Sequence, residues 1–162
     1  MRLYLVRHGD SVPKEVNPDR PLSDRGRSDI QRLTEWLSSH NVQIEQILHS
    51  GKTRAKETAE ILRPLLKFPN QIYESQGLAP NDSPEAFLYQ LRDPKKDTLV
   101  AGHMPFVARL VSQTLTGAPD RQLVEFVPGS VAGIERSDGA SWRLFVFARP
   151  DFLDRALSQA VE

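Results

Sequence analysis

The sequence predicts an α/β protein, a three-layer α/β/α sandwich whose sheet is mostly parallel and ends in an antiparallel C-terminal hairpin. Short apolar runs alternate four times with segments of helical periodicity, a pattern typical of parallel strands joined by helices. The first of these runs, residues 3–6, is apolar at every position, as expected of a strand covered on both faces. Two further strand-like runs lie within residues 131–148 and are joined by a turn sequence, which predicts the hairpin.

Composition limits the class of protein. The chain has 162 residues, of which 39% are hydrophobic and 26% charged, so we expect one domain spanning residues 1–162 with a substantial core. The formal net charge is zero, which argues against broad nucleic-acid binding, because such binding rests on neutralising many phosphates. The absence of cysteine excludes disulfides and thiolate metal sites. No apolar run resembles a signal peptide or approaches a membrane span, so we expect a cytoplasmic protein without membrane contact.

The strands are predicted from short apolar runs bounded by turn residues. In chain order they cover residues 3–6, 46–49, 72–75, 98–101, 131–134 and 142–148. The near-continuous apolar run at residues 144–148 predicts burial on both faces. Residues 137–139, which read Ser-Asp-Gly, are the expected hairpin turn.

The helices are predicted from apolar residues at helical spacing and from their end signals. They begin near residues 23, 52, 83, 105 and 151. Ser23 and Ser83 are the expected N-caps, and Pro84 and Pro105 fit the first helical position. The first helix is expected to reach residue 39, and Pro64 is expected to end the second near residue 63, since proline cannot continue the hydrogen-bond ladder. The terminal helix, residues 151–160, is expected to point four apolar side chains inward: Phe152, Leu153, Ala156 and Leu157.

Reactive side chains follow three of the predicted parallel strands. Arg7 and His8 follow the first strand, Ser50 and Arg54 follow the second, and His103 follows the fourth. Because ligands bind beyond the carboxyl ends of the strands in open α/β sheets, we expect these side chains to lie together. Forked guanidinium groups and helix N-termini both favour anionic oxygens. The residues therefore predict a phosphate or carboxylate site.

The residue types limit the chemistry of this site. An imidazole beside a bound phosphate can act as a nucleophile or as a proton-transfer group, and the pattern leaves both roles open. Ser50 is expected to end a strand or cap a helix rather than act as a nucleophile. No cluster has metal-ligand spacing, so we expect neither a metal nor a cofactor, and arginine and histidine side chains would have to stabilise the charge.

Three motifs resemble those of the histidine phosphatase (phosphoglycerate mutase-like) superfamily. They are Leu-Val-Arg-His-Gly at 5–9, Ser-Gly-Lys-Thr-Arg-Ala-Lys-Glu-Thr at 50–58 and Ala-Gly-His-Met-Pro at 101–105. Arg-Pro-Leu-Ser-Asp-Arg-Gly at 20–26 and Leu-Ala-Pro at 78–80, together with the short chain, resemble the SixA branch of protein phosphohistidine phosphatases. The resemblance extends from residue 3 to about residue 112.

The resemblance implies a phosphatase in which His8 is the nucleophile and carries the phosphoryl group transiently. It implies that Arg7, Arg54 and His103 bind the equatorial phosphate oxygens. The attacking nitrogen of His8 must be neutral, and its other nitrogen then needs an acceptor, most simply a backbone carbonyl. Gly9 is expected to let the backbone turn tightly behind His8 and approach the phosphate. A bound phosphate is expected to favour the charged form of His103.

One departure from the superfamily pattern limits the class of substrate that we expect. Many members carry a glutamate acid after the third strand, whereas residues 77–80 here read Gly-Leu-Ala-Pro. Asp10, Glu15 and Asp82 are possible substitutes. An alkoxide leaving group needs a proton, but a phosphorylated imidazole leaves with little help, so the missing acid favours phosphohistidine as the substrate.

We therefore expect a phosphohistidine phosphatase that acts on a phosphorylated protein, such as a histidine-containing phosphotransfer domain. Little chain separates Arg54 from His103, which leaves no room for a large lid. An open pocket of this kind suits a phosphorylated side chain presented by another protein. A small-molecule phosphomonoesterase on the same fold and a catalytically silent phospho-ligand binding module are the alternatives. The sequence does not indicate an oligomeric state.

Overall fold

The computed structural model describes residues 1–91, 96–137 and 141–153. The strands are β1 (Arg2–Arg7), β2 (Gln46–His49), β3 (Ile72–Glu74), β4 (Thr98–Gly102), β5 (Val131–Glu135) and β6 (Arg143–Ala148). The helices are α1 (Asp24–Ser39), α2 (Thr53–Ile61), α3 (Pro84–Gln90) and α4 (Phe106–Thr116), with a 3₁₀ turn at Arg63–Leu65. None of the helices in the described ranges is long and apolar enough to cross a membrane.

The strands form one sheet in the order β3-β2-β4-β1-β5-β6. The pairings β3–β2, β2–β4 and β4–β1 are parallel, whereas β5 is antiparallel to both β1 and β6. This topology confirms the predicted fold class, with a mostly parallel sheet and a C-terminal hairpin. The carboxyl ends of β1, β2 and β4 consequently lie side by side at one edge.

Helices pack against both faces of the sheet and create two apolar clusters. The cluster under α1 and α2 contains Tyr4 and Val6 of β1, and the cluster under α3 and α4 contains Leu3 and Leu5. Successive side chains of a strand point to opposite faces, so a central strand with helices on both sides must be apolar at every position. This explains why residues 3–6 are all hydrophobic.

The helix ends follow the predicted signals closely. The hydroxyl oxygens of Ser23 and Ser83 accept hydrogen bonds from backbone N–H groups of the first turn, at 3.0 and 3.3 Å. Pro84 is the first residue of α3, as predicted. Pro105 instead precedes the first residue of α4 and serves as its N-cap, one position earlier than predicted. Helix α2 ends before Pro64, which lies in the following 3₁₀ turn.

The prediction that residues 144–148 are buried on both faces is wrong. Strand β6 is the outer strand of the hairpin and lies at the edge of the sheet, where Leu144 and Phe145 are 39% and 40% exposed. An apolar run does not reveal whether a strand is central or peripheral, because that depends on strand order. Residues 138 and 139 of the predicted turn lie outside the described residues.

The prediction for the terminal helix is confirmed for one side chain and wrong for another. Residues 150–153 are helical; Leu153 is buried against the α1 cluster, whereas Phe152 is 65% exposed. With 3.6 residues per turn, adjacent helical residues point in directions about 100° apart, so both cannot face the same core. Ala156 and Leu157 lie outside the described residues.

Candidate active site

The structure brings the predicted site residues together at the carboxyl edge of β1, β2 and β4. The backbone N–H of His8 donates to the carbonyl of Gly102 at 2.9 Å, which ties the ends of β1 and β4 together. The rings of His8 and His103 are 5.1 Å apart between centroids. Arg54, in the first turn of α2, reaches across from the end of β2 and donates from Nε to Nε2 of His8 at 3.1 Å.

The tautomer of His8 is defined by its own backbone. Nδ1 of His8 lies 2.7 Å from the carbonyl oxygen of Gly9, which only accepts, so Nδ1 carries the proton and donates. Nε2 therefore has a free lone pair, and this lone pair accepts the hydrogen bond from Arg54. The backbone acceptor that the sequence argument required is thus the carbonyl of the next residue.

The electrostatic surroundings keep the His8 ring neutral. Burial is the largest effect and, with the guanidinium groups of Arg54, Arg7 and Arg20, lowers the pKa of His8 to about 4, although the hydrogen bond to Gly9 opposes the shift. A neutral ring retains the lone pair on Nε2. This is the state in which an imidazole can attack phosphorus.

We expect the His8 ring to remain neutral from about pH 5 to about pH 8 in the ligand-free protein. Protonation removes the Nε2 lone pair, so lowering the pH should deplete the nucleophilic form only as it passes through about 4. A ¹H–¹³C NMR titration of the His8 ring should show its inflection there, with the His8→Ala spectrum used for assignment. An inflection near 6.5, the ordinary value for histidine, would contradict this electrostatic description.

His103 is completely enclosed beside His8. Burial is the largest effect and, with the charge that His8 gains when it is protonated in acid and the charges of Arg54 and Lys52, lowers the pKa of His103 to about 3. Its Nε2 lies 2.5 Å from the hydroxyl oxygen of Ser50, whereas its buried Nδ1 has no hydrogen-bond partner among the described residues. The ring is therefore neutral without a ligand, and the expected gain of charge on phosphate binding stays a prediction.

Ser50 has a contact that the sequence argument did not anticipate. It was expected to end β2 or cap the next helix, and it does lie at that turn, where its hydroxyl accepts the Lys52 N–H at 3.4 Å. The same hydroxyl also contacts His103 and thereby orients its ring. Only the parallel pairing of β2 with β4 makes this contact possible.

Arg7 is held by the segment between α4 and β5. Its Nη1 donates to the carbonyl of Phe126 at 2.8 Å, and its backbone N–H donates to the carbonyl of Ser130 at 3.0 Å. Burial lowers the pKa of Arg7, while the charge of Asp10 raises it; an arginine remains charged under both influences. The buried Nε of Arg7 has no partner in the described part of the chain, so a donor remains available in this corner.

Gly9 is required by a close approach of the backbone to α1. A Cβ atom on Gly9 would lie 2.9 Å from the carbonyl oxygen of Gly26, and a Cβ on Gly26 would lie 2.0 Å from the carbonyl oxygen of Asp10. The N–H of Gly9 also donates to the hydroxyl of Thr58 on α2 at 3.1 Å. The two glycines let α1 and α2 pack directly behind His8. This close packing explains why glycine, a residue of low helix propensity, occupies position 26 in the first turn of α1.

Arg20 is a cation of the site that sequence reasoning did not single out. Its charge contributes to lowering the pKa of His8, Arg54 and His103, although it lies far from the strand ends in sequence. The loop holds its side chain through the Ser11 hydroxyl at 3.0 Å. The sequence indicated Arg20 only through the position of its loop, which follows the carboxyl end of the first strand.

The cations of this pocket lack acidic partners. Among the described residues, no carboxylate lies within salt-bridge distance of the four cations that surround the two histidines: Arg7, Arg20, Lys52 and Arg54. Uncompensated positive charge in a partly buried pocket favours a bound anion, and forked guanidinium groups match phosphoryl oxygens. The described residues also contain no group of three or more histidine, aspartate or glutamate side chains placed to hold a metal ion.

The three carboxylates considered as acids have other contacts or none. Asp10 accepts from the Ser23 hydroxyl at 2.6 Å, and Asp82 accepts from the backbone N–H of Ala79 at 2.7 Å. Glu15 is exposed on the loop before α1. No described carboxylate forms a hydrogen bond with either His8 or His103.

The chain is similar to known proteins of one superfamily. The profile of the histidine phosphatase superfamily (branch 1) matches residues 3–79, which include His8 and Arg54. Phosphohistidine phosphatase SixA of Escherichia coli (strain K12) is 27% identical over 150 residues, covering 89% of this chain and 93% of that protein. A solved structure of the protein histidine phosphatase SixA complexed with tungstate has a TM-score of 0.81 and 25% identity, over 94% of this chain and 99% of that one. The chain belongs to the histidine phosphatase superfamily.

Within this superfamily the chain is of the SixA type, and the resemblance inferred from the motifs is confirmed. The chain is accordingly a phosphatase, that is, a phosphoric hydrolase. An uncharacterised protein of Picosynechococcus sp. (strain ATCC 27264 / PCC 7002 / PR-6) is also similar, with 35% identity over 113 residues, which are 65% of this chain and 67% of that protein.

Proposed function

We propose that this histidine phosphatase removes the phosphoryl group from a phosphohistidine side chain of another protein, through a phosphorylated His8. The observation that carries the proposal is the state of His8, whose Nδ1–H is held by the Gly9 carbonyl while Nε2 keeps its lone pair. Arg54 contacts this nitrogen, the ring of His103 lies beside that of His8, and the charge of Arg7 acts on His8. In the proposed mechanism these three side chains bind the phosphoryl oxygens. A cytoplasmic location and a role in signal transduction belong to the same proposal.

The proposed reaction has two steps, transfer of the phosphoryl group to His8 and hydrolysis of the phosphorylated His8. In the first, the Nε2 lone pair of His8 forms a bond to phosphorus as the P–N bond of the substrate breaks, and the bonding electrons leave with the substrate imidazole. When the other ring nitrogen of the substrate is protonated, the leaving group is neutral imidazole. In the second step, water attacks phosphorus, the electrons of the P–Nε2 bond return to His8, and the proton from water leaves with inorganic phosphate. Positioning and charge stabilisation supply most of the catalysis in such transfers.

The surroundings of His8 favour a phosphoramidate substrate over a phosphate ester. An ester expels an alkoxide, which needs a general acid, and no carboxylate of the described residues forms a hydrogen bond with His8 or His103. A neutral imidazole is a much weaker base than an alkoxide and leaves without an acid. SixA of E. coli, a similar protein, is named as a phosphohistidine phosphatase, which supports the same substrate class.

The proposal is tested by comparing two substrates on one preparation of enzyme. We expect kcat/KM for a phosphotransfer domain phosphorylated on histidine to exceed that for an alkyl phosphate such as glycerol 3-phosphate, whose leaving group is an alkoxide, by at least about 10²-fold, the size of a typical acid–base contribution. Rapid quenching with ³²P-labelled domain should yield labelled enzyme that is labile in acid and stable in alkali. Turnover of the ester above that of the phosphorylated domain would favour the small-molecule phosphomonoesterase, and binding without turnover would favour a silent binding module.

A further inference from the structure

A large groove opens directly beside the candidate active site. Its cavity volume is about 830 Å³, and it lies between the start of α4 and the irregular segment that precedes β5. Met104, the residue after His103, lines one side, and Phe126, whose carbonyl binds Arg7, lines the other. The lining of the groove thus includes direct neighbours of two residues of the candidate active site, His103 and Arg7.

The lining of the groove contains both apolar and charged side chains. Ala108, Leu123 and Val124 contribute to the apolar part, and Leu123 is 45% exposed. An aliphatic side chain that remains this exposed beside a catalytic pocket is available to a ligand.

The charges of the groove leave one cation without a partner. Arg109 is paired with Asp120 at 3.3 Å, and Glu125 is paired with Arg149 at the same distance. Arg121 is exposed and forms no ion pair with any described residue. Arg121 is thus the charged lining residue that has no ion-pair partner in the described ranges, and its position favours an acidic group of the occupant.

We infer that this groove receives the polypeptide segment that flanks the phosphohistidine of the substrate protein, and that Leu123 and Arg121 select a segment with an aliphatic and an acidic side chain. The inference rests on the proposed function and names its partner. A phosphoryl group and its imidazole need only the pocket around His8, so the adjoining groove is left for the residues that surround them. Small-molecule sites have volumes of about 300–1,000 Å³, but the open, partly charged rim here suits a protein surface.

The test separates binding in the groove from chemistry at His8. Arg121→Glu and Leu123→Asp are compared with Arg143→Glu and Leu144→Asp, matched exposed positions at the far end of the sheet. Each protein is assayed with a phosphohistidine-bearing phosphotransfer domain and with phosphoramidate, which has the same P–N bond and no polypeptide. We expect each groove variant to lose about tenfold in kcat/KM on the domain, mostly through KM, and to hydrolyse phosphoramidate at the wild-type rate.

A reversed charge on the substrate provides a second readout. A glutamate or aspartate beside the phosphohistidine, changed to lysine, should restore activity to Arg121→Glu and reduce it for the wild type. Groove variants that keep wild-type kcat/KM on the domain, or that lose both substrates equally, would overturn the inference. Failure of the wild type to act on the domain while it hydrolyses esters would overturn the proposed function itself.

Discussion

Replacing His8 with alanine should abolish turnover, with a loss of at least about 10⁴-fold in kcat, because removing a nucleophile from a covalent mechanism removes both of its steps. The ³²P label on the enzyme should disappear with it. In the wild type the label should be on Nε2, since the Nδ1 proton of His8 is engaged by the Gly9 carbonyl. The measurement is rapid-quench labelling, with NMR of the phosphorylated enzyme to identify the nitrogen.

The matched control for this prediction is His40→Ala. His40 is exposed at the end of α1, where its Nδ1 donates to the carbonyl of Trp36, so its removal should change neither label nor rate. His8→Gln keeps a polar group of similar reach and separates loss of the nucleophile from loss of packing in a buried site. Persistent label on His8→Ala, or label on Nδ1 of the wild type, would show that the intermediate is not the one proposed.

Replacing Arg54 with alanine should lower kcat by about 10²–10³-fold, the usual cost of removing one donor that stabilises transition-state charge. Arg54 is the cation in direct contact with Nε2 of His8, and no described carboxylate competes for it. Its forked guanidinium is available to phosphoryl oxygens once substrate displaces the contact with His8. Arg54→Lys keeps the charge but not the fork, so it should recover only part of the loss.

Lys56→Ala is the control for Arg54, because Lys56 is an exposed cation on the same helix. It should retain nearly wild-type kcat and KM. The comparison is made by steady-state kinetics on the phosphorylated domain, together with binding of inorganic tungstate or vanadate. A loss smaller than about fivefold for Arg54→Ala would exclude Arg54 from the transition state.

Arg54 and His103 illustrate how far a linear sequence predicts a site. Each follows a strand in the chain, and parallel strands bring their carboxyl ends to a common edge, so their proximity to His8 could be inferred before the strand order was known. The caps at Ser23 and Ser83 were predictable for a similar reason. A cap depends on contacts within three residues, which local sequence describes.

Features that depend on distant packing could not be predicted in this way. The edge position of β6 and the exposure of Phe145 follow from the strand order, which an apolar run does not encode. Arg20 reaches the pocket because its loop folds back on itself, with Leu22 bridged to Ser11, and Ser50 contacts His103 because β2 pairs with β4. Both contacts join residues that have no fixed spacing in the chain.

His8 has both a feature that local sequence predicts and a feature that depends on distant packing. Its place at the end of an apolar strand, between a cation and a glycine, is visible in the sequence and indicates a phosphate site. Its protonation state is a property of the folded protein, because burial and the guanidinium of Arg54 hold the ring neutral, while the carbonyl of Gly9 determines which ring nitrogen carries the proton. Local sequence determines which groups are present, whereas the distances and the dielectric around them exist only after distant segments have packed together.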